Sequence, residues 1–454
     1  MSDTLHARQA LLPDGWAEDV MVTMADGRIE TVDQGVELLG ETFSVDILLP
    51  AMANLHSHAF QRAMAGLTER RGTGDDSFWT WRTLMYQFLE QITPDHAEAI
   101  AAQVQIEMLE AGYASVGEFH YLHHAPGGDT YDDPAEMSVR IAAAAADTGI
   151  GLTHLPVLYM QGGSDGRALA GGQLRFGCDL DRFQAVLEGA EIVTAGLPDA
   201  LVGIAPHSLR AVGVEALTAA TAMRPEAPLH LHISEQVAEV NEILGTHGAT
   251  PVKWLLEVMD VDPRWCLIHA THMSPAETEG LARSGAVAGL CPITEANLGD
   301  GIFDGARFIA AGGRYGVGSD SNVRIALAEE LRVLEYGQRL ETRQRNVLAA
   351  PGGSTGRAIF DAALAGGAQA LGRASGAIKP GLWADLLALD GGALPLDGAA
   401  GDTILDSWIF TGDDNLVVDV WSAGRHVVRD GRHVHRDVIE RRYREVLAAL
   451  RAAI

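Results

Sequence analysis

Four polar stretches far apart in the chain carry side chains of the kind that hold a metal ion. His56-Ser57-His58 follows a short apolar run, 45–50, that reads as a buried strand. Strand side chains alternate between faces, so His56 and His58 share one. Two imidazoles side by side at a strand end can grip one ion from the same direction. Taken alone, the pair is as readily two surface histidines. The other stretches shift the balance. Leu229-His230-Leu231-His232-Ile233-Ser234-Glu235 supplies imidazoles and a carboxylate. Cys266-Leu267-Ile268-His269 ends in histidine, and Val317-Gly318-Ser319-Asp320 ends in aspartate. Three histidines and one aspartate suit one divalent ion such as Zn²⁺. Such an ion, with a position left open, acidifies bound water and creates a nucleophile near neutral pH. The chemistry this points to is hydrolysis.

Convergence of these stretches needs a scaffold whose strand ends face one place. Residues 49–378 alternate strand and helix signals. Strands are expected near 47–54, 115–121, 151–158, 201–206, 228–233, 265–271, 286–291 and 314–318. Helices are expected near 96–111, 136–147, 182–189, 215–223, 235–244, 252–259, 275–284 and 325–340. Eight such units predict an α/β fold, a parallel (β/α)8 TIM-type barrel rather than an open doubly wound sheet. In that barrel every strand delivers its C-terminal end to one shared site. Residues 1–48 read as β structure with an Asp26-Gly27 hairpin, and 379–454 echo them with Asp430-Gly431 and a final amphipathic helix. Both ends together predict a small β-sandwich domain. Residues 66–85 and the Gly-rich stretches 161–172 and 350–357 read as long loops, the first as a lid over the site.

Composition removes several function classes. The 33 Lys+Arg against 61 Asp+Glu give a formal charge of −28. That surface repels phosphate backbones and anionic bilayers, so no nucleic-acid or membrane partner is expected. Three cysteines without a CxxC pair make no disulfide framework. Residues 1–6 lack a secretory pattern, and no apolar run is long enough to span a bilayer. The expectation is a cytoplasmic, reduced protein acting on a small molecule.

The order HxH, His-x-x-Glu, His, Ser-Asp resembles the amidohydrolase superfamily in its mononuclear deaminase branch. His56-Ser57-His58-Ala59-Phe60-Gln61-Arg62-Ala63-Met64-Ala65-Gly66-Leu67-Thr68-Glu69, followed by Phe78-Trp79-Thr80-Trp81-Arg82, is similar to the formimidoylglutamate deiminase family. The resemblance implies hydrolysis of N-formimidoyl-L-glutamate to N-formyl-L-glutamate and ammonia in histidine degradation, and a homodimer. It implies His56, His58, His232 and Asp320 as metal ligands, with Glu235, His269 and Asp320 catalytic. His230 shares the face of His232, but the family pattern puts the ligand three residues before the glutamate, which leaves His230 to the core. His272 reads as a loop residue. No lysine sits where binuclear members carry a bridging one, so one metal is expected.

Asp320 would take the proton of the attacking water, His269 would orient the hydroxide, and Glu235 would protonate the departing nitrogen. A substrate with an amidine and two carboxylates needs cationic partners. Arg82 and Arg210 are the candidates, because guanidinium groups clamp carboxylates bidentately. Gln61, Tyr121 and His207 complete the expected substrate contacts. Trp79 and Trp81 read as packing residues, Asp75-Asp76 as a solvated loop, and 339–345 as a polar helix end. Two alternatives stand beside this reading: a deaminase of a purine or pterin ring, and a non-catalytic metal-binding barrel.

Overall fold

The computed structural model of the chain describes residues 3–38, 40, 42–69 and 78–453, with the backbone alone for Phe78, Trp79 and Asp414. The readings of Asp75-Asp76 and of the Trp79 side chain lie outside the described residues. Eight parallel strand positions occupy the middle of the chain. They are β1 (Met52–Ser57), β2 (Tyr113–His120), β3 (Gly151–Leu158), β4 (Leu201–Val202, resumed at Ala205–Pro206), β5 (Leu229–Ile233), β6 (Trp265–His269), β7 (Val287–Leu290) and β8 (Arg314–Val317). Pairing is parallel from β1 to β4 and from β5 to β8. Two seams close the ring. Ile204 bridges Leu229 and Ser208 bridges His232, while Ser57 bridges Asp320. Every position of β1, β2, β3, β5 and β6 is buried. These strands therefore read as continuous apolar runs, because helices cover one face and the barrel interior fills the other.

The last seam sets the site. The Asp320 amide donates to the His56 carbonyl at 2.9 Å, and the His58 amide donates to the Asp320 carbonyl at 2.9 Å. This approach requires glycine at 318, where a Cβ would lie 2.7 Å from the His56 nitrogen and 2.8 Å from its oxygen. The helix Thr355–Ala370 packs over the same seam.

Three sequence readings need correction. The strand expected over 47–54 is two strands. Phe43–Pro50 joins the terminal sheet, and β1 starts afresh at Met52. Pro50 has no amide to donate to a ladder, and the Ala51 amide turns away to the Asp385 carbonyl at 2.9 Å. Within the expected loop 66–85, Phe78–Leu89 is a helix, so no lid spans that whole stretch. Its aromatic and β-branched residues are weak helix formers, and packing rather than propensity makes it. The expected loop 350–357 already contains the start of Thr355–Ala370, capped by Ser354 Oγ accepting from the Arg357 amide at 3.0 Å.

The two chain ends form the terminal β-sandwich domain. Its strands run in the order Arg432–His433, Arg425–Arg429, Val417–Ser422, Leu386–Leu389, Phe43–Pro50, Asp3–Leu12, Gly15–Ala25, Arg28–Asp33. The ends meet where Leu386–Leu389 pairs antiparallel with Phe43–Pro50. Leu5, Val20, Val22, Ile29, Leu48 and Trp421 lie in its core. The final helix, Arg436–Ala453, packs on Pro94–Glu110. Among the described residues no helix is long and apolar enough to cross a membrane.

Candidate active site and metal centre

β1, β5 and β8 bring His56, His58, His232 and Asp320 together, with one ligand atom of each within 4.8 Å of all the others. His56 Nε2 lies 3.2 Å from His58 Nε2 and 3.0 Å from His232 Nε2. Asp320 Oδ1 lies 3.3 Å from His58 Nε2 and 3.6 Å from His56 Nε2. The outer ring nitrogens fix the tautomers. His58 Nδ1 faces the Phe119 carbonyl at 2.9 Å, and His232 Nδ1 faces the His207 carbonyl at 3.0 Å. A carbonyl only accepts, so both Nδ1 atoms carry protons and both Nε2 atoms turn lone pairs inward. Lone pairs and a carboxylate crowded together repel one another unless a cation sits among them. Zinc–nitrogen bonds of about 2.0–2.1 Å in a tetrahedron would space the nitrogens roughly 3.4 Å apart, close to what is seen. Burial holds the imidazoles of His56, His58 and His232 below their ordinary pKa, so they stay neutral as ligands must. The donor set fits a divalent metal.

His230, the rival on β5, has its Nε2 against the Ala370 carbonyl at 2.8 Å, in the core. Half-buried His272 donates its amide to the Ser234 carbonyl.

Glu235 and His269 sit beside the cluster. Glu235 precedes its helix, which begins at Val237 rather than at the expected 235. Its amide donates to Glu239 Oε2 at 3.0 Å. Burial pushes the Glu235 carboxyl up to about 7, with the charges of Asp320 and Glu239 adding and His269 opposing. His269 Nε2 lies 3.8 Å from Glu235 Oε1 and 3.9 Å from Asp320 Oδ2. Burial alone would depress His269, but the Glu235, Glu295 and Asp320 carboxylates outweigh it and hold the ring well above the imidazole range. His269, Cys291 and Glu295 also lie within 4.8 Å of one another. In that trio Glu295 Oε1 already accepts from the Cys291 amide at 2.9 Å and meets His269 Nδ1 at 3.2 Å.

His58, His232 and Asp320 line a cavity partly open to solvent, which Gln61, Arg82, Tyr121, His207 and Arg210 also line. Arg82 Nε donates to Tyr86 Oη at 2.6 Å and Nη2 to Tyr159 Oη at 3.4 Å. Arg210 is buried; burial opposes its charge, and Glu239, Tyr159 and Glu235 more than restore it. Gln61 Nε2 donates to Tyr121 Oη at 2.7 Å. Burial raises the Tyr121 and Tyr86 hydroxyls, the latter to about 12, so both remain neutral donors. His207 packs between Tyr159 and His232, and burial followed by the Arg210 charge holds it well below its ordinary pKa. Trp81, which the sequence reads as a packing residue, lines the cavity as well.

Sequence reasoning missed Tyr86, Tyr159, Glu239 and Glu295. Tyr86 follows Arg82 by four residues, and Glu239 follows Glu235 by four. Helical spacing gave that signal, had Phe78–Leu89 been read as a helix. Glu295 left none. Also hidden was the backbone: Ser234, His269, Ala270, Asp320 and Asn322 all take left-handed φ values, between 45° and 68°. Such residues cost of order 1–3 kcal/mol each and gather where function holds them.

Residues 47–427 match the profile of the amidohydrolase family, a metal-dependent family, and residues 2–40 match the profile described as formimidoylglutamate deiminase HutF, N-terminal domain. A formimidoylglutamate deiminase of Pseudomonas aeruginosa is 50% identical over 98% of this chain and 99% of its own. An amidohydrolase crystal structure from Brucella melitensis superposes with a TM-score of 0.96 at 51% identity, covering 99% of both chains. An adenosine deaminase from Xanthomonas campestris with bound zinc shares the fold at a TM-score of 0.83 and 20% identity, over 99% of this chain and 98% of that one. By these matches the chain belongs to the amidohydrolase family and, within it, to the formimidoylglutamate deiminases.

Proposed function

We propose that the chain hydrolyses N-formimidoyl-L-glutamate to N-formyl-L-glutamate and ammonia, as a step of histidine degradation. The observation that carries this reading is one cavity lined both by metal-binding side chains and by the two arginines Arg82 and Arg210. An amidine carbon belongs at the first and carboxylates belong at the second. The half-identical relative named for this reaction supports it independently.

In this reading His56, His58, His232 and Asp320 hold one divalent ion, with zinc the choice that three imidazoles and a carboxylate favour. The absence of a bridging lysine supports one ion: the chain's lysines are Lys253 and Lys379, and neither is on a barrel strand. When bound, such an ion would supply acidified water as the nucleophile and would polarise the group under attack. Asp320 Oδ2, turned toward His269, takes the water's proton. His269 Nε2 orients the attacking oxygen and stabilises charge as it develops. Glu235, whose carboxyl burial raises toward neutral pH, delivers a proton to the nitrogen that leaves as ammonia. Arg82 and Arg210 clamp the carboxylates, while Gln61, Tyr121 and His207 orient the chain between them. Buried, unpaired Cys178, Cys266 and Cys291 suit a reducing cytoplasm. The family resemblance is the support for a homodimer.

The test is ammonia release by the zinc-loaded protein from N-formimidoyl-L-glutamate, with adenosine and guanine in parallel. Turnover of the first alone is expected. Ammonia from a purine instead, or from none of the three, overturns the reading.

A further inference from the structure

We propose that Glu295 is a positioning residue for His269, holding the ring so that Nε2 faces the reacting atoms. The inference rests on the role given above to His269. Strand β6 does not itself fix that ring. The chain leaves regular strand geometry at His269, with φ of 68°, and stays left-handed at Ala270, with φ of 48°. The orientation therefore needs an outside partner. Glu295 is that partner, 3.2 Å from Nδ1 through Oε1. The opposite edge of the ring then places Nε2 3.8 Å from Glu235 Oε1 and 3.9 Å from Asp320 Oδ2. A rotated ring would lose both neighbours at once.

Glu295 is itself held. It is buried and accepts from the Cys291 amide at 2.9 Å. Its short helix, Pro292–Leu298, is anchored by the Ile293 amide donating to Glu330 Oε2 at 2.9 Å. The same helix grips the loop that presents Asp320. Thr294 Oγ1 donates to the Ser319 carbonyl at 3.2 Å and lies 2.9 Å from Ser321 Oγ. One structural unit thus orients His269 on β6 and steadies the loop after β8. A carboxylate behind a metal-ligating imidazole typically changes affinity or activity about 10–100-fold when removed, and a loss of that order is expected for the one behind His269.

The test compares Glu295→Ala and Glu295→Gln with the parent, all zinc-loaded. Glu295→Ala should lose about 10–100-fold in kcat, while KM, zinc content and Tm hold. Glu295→Gln, which keeps an acceptor oxygen, should recover part of the loss. A second readout is independent of turnover. In ¹⁵N-histidine-labelled protein, the low-field Nδ1 proton assigned by its loss in His269→Asn should vanish in Glu295→Ala and persist in Glu295→Gln. If the parent releases no ammonia, the proposed reaction fails, and the proton signal still decides the His269–Glu295 bond. The inference is overturned if kcat in Glu295→Ala stays within about threefold of the parent. Loss of zinc in step with kcat, or an unchanged proton signal in Glu295→Ala, overturns it as well.

Discussion

The two mouths of the barrel treat buried charge in opposite ways. At the mouth where the strands begin, Arg373 is enclosed by its acceptors. Its Nε and Nη2 donate to Asp385 at 2.7 and 3.0 Å, and Nη2 also reaches Asp199 Oδ2 at 2.9 Å. Asp199 Oδ2 accepts from Arg425 as well, at 2.8 Å, and Asp385 Oδ1 from the Ala423 amide at 2.7 Å. Burial alone would lower the pKa of Arg373, but the Asp385 and Asp199 carboxylates raise it above its ordinary value. Every charge there has an opposite. At the mouth where the strands end, imidazoles turn lone pairs toward one another and three carboxylates surround His269. The contrast matches the division of labour in this fold, stability below and chemistry above. A cluster whose members repel is held for what it binds. A cluster whose members attract is held for itself.

Substitutions at each mouth should separate the two. The largest effect is expected above. His232→Ala should release the metal and abolish turnover. Glu235→Gln should keep metal and substrate binding and lower kcat by roughly 10²–10⁴-fold, the range for a lost general acid. Glu235→Gln should not lower the Tm of the metal-free protein, because the cost of burying the Glu235 charge outweighs its attraction to His269. Below, Arg373→Met leaves two buried aspartates with half their partners. It should cost about 3–5 kcal/mol of stability, read by chemical denaturation, with kcat of the folded fraction unchanged. A Glu235→Gln variant near parental turnover, or an Arg373→Met variant of parental stability, breaks the division. A smaller effect is expected at the cavity arginines. Arg82→Lys keeps the charge and loses the planar fork, and should raise KM with little change in kcat. Parallel loss of kcat would instead tie Arg82 to the reaction centre.

How much of this was legible follows from which forces are local. The ligand residues carried their own signal, since HxH and His-x-x-Glu at strand ends are patterns of spacing. The barrel showed itself through eight alternating strand and helix signals. What stayed hidden was decided by tertiary contact. Strand Phe43–Pro50 and β1 look continuous until the backbone is seen to part at Ala51. Phe78–Leu89 has the composition of a packed loop and becomes a helix over the cavity it lines. Glu295 lies 26 residues from His269 on another element, with no period linking them. No turn pattern in the sequence marks the left-handed backbone at Ser234, His269 and Asp320, even though Asp and His take it more readily than most residues, so only the closed barrel reveals it.

A last prediction separates the mouths by the sign of a pH dependence. In the metal-free protein, Glu235 titrates near 7 when folded against 4.5 as a free side chain, because burial disfavours its charge. Below about 4.5 it is protonated in both states and adds nothing. Between 4.5 and 7 the unfolded chain releases the proton and the folded one keeps it, so stability falls as pH rises. Above 7 the penalty is complete. Glu235→Gln removes it, so metal-free variant and parent should match near pH 4.5 and diverge in the variant's favour toward pH 7. Asp199 at the other mouth should do the reverse. Burial raises its pKa, but Arg425 and Arg373 prevail and hold it below the usual 3.8. Its contribution is present above 3.8 and fades as pH falls through the lower folded value. Asp199→Asn should therefore be less stable than the parent at pH 7, and the gap should close in acid. Denaturation curves for both pairs across pH 3 to 8 check this. Two gaps that open in the same direction would mean that both mouths are built on one electrostatic plan.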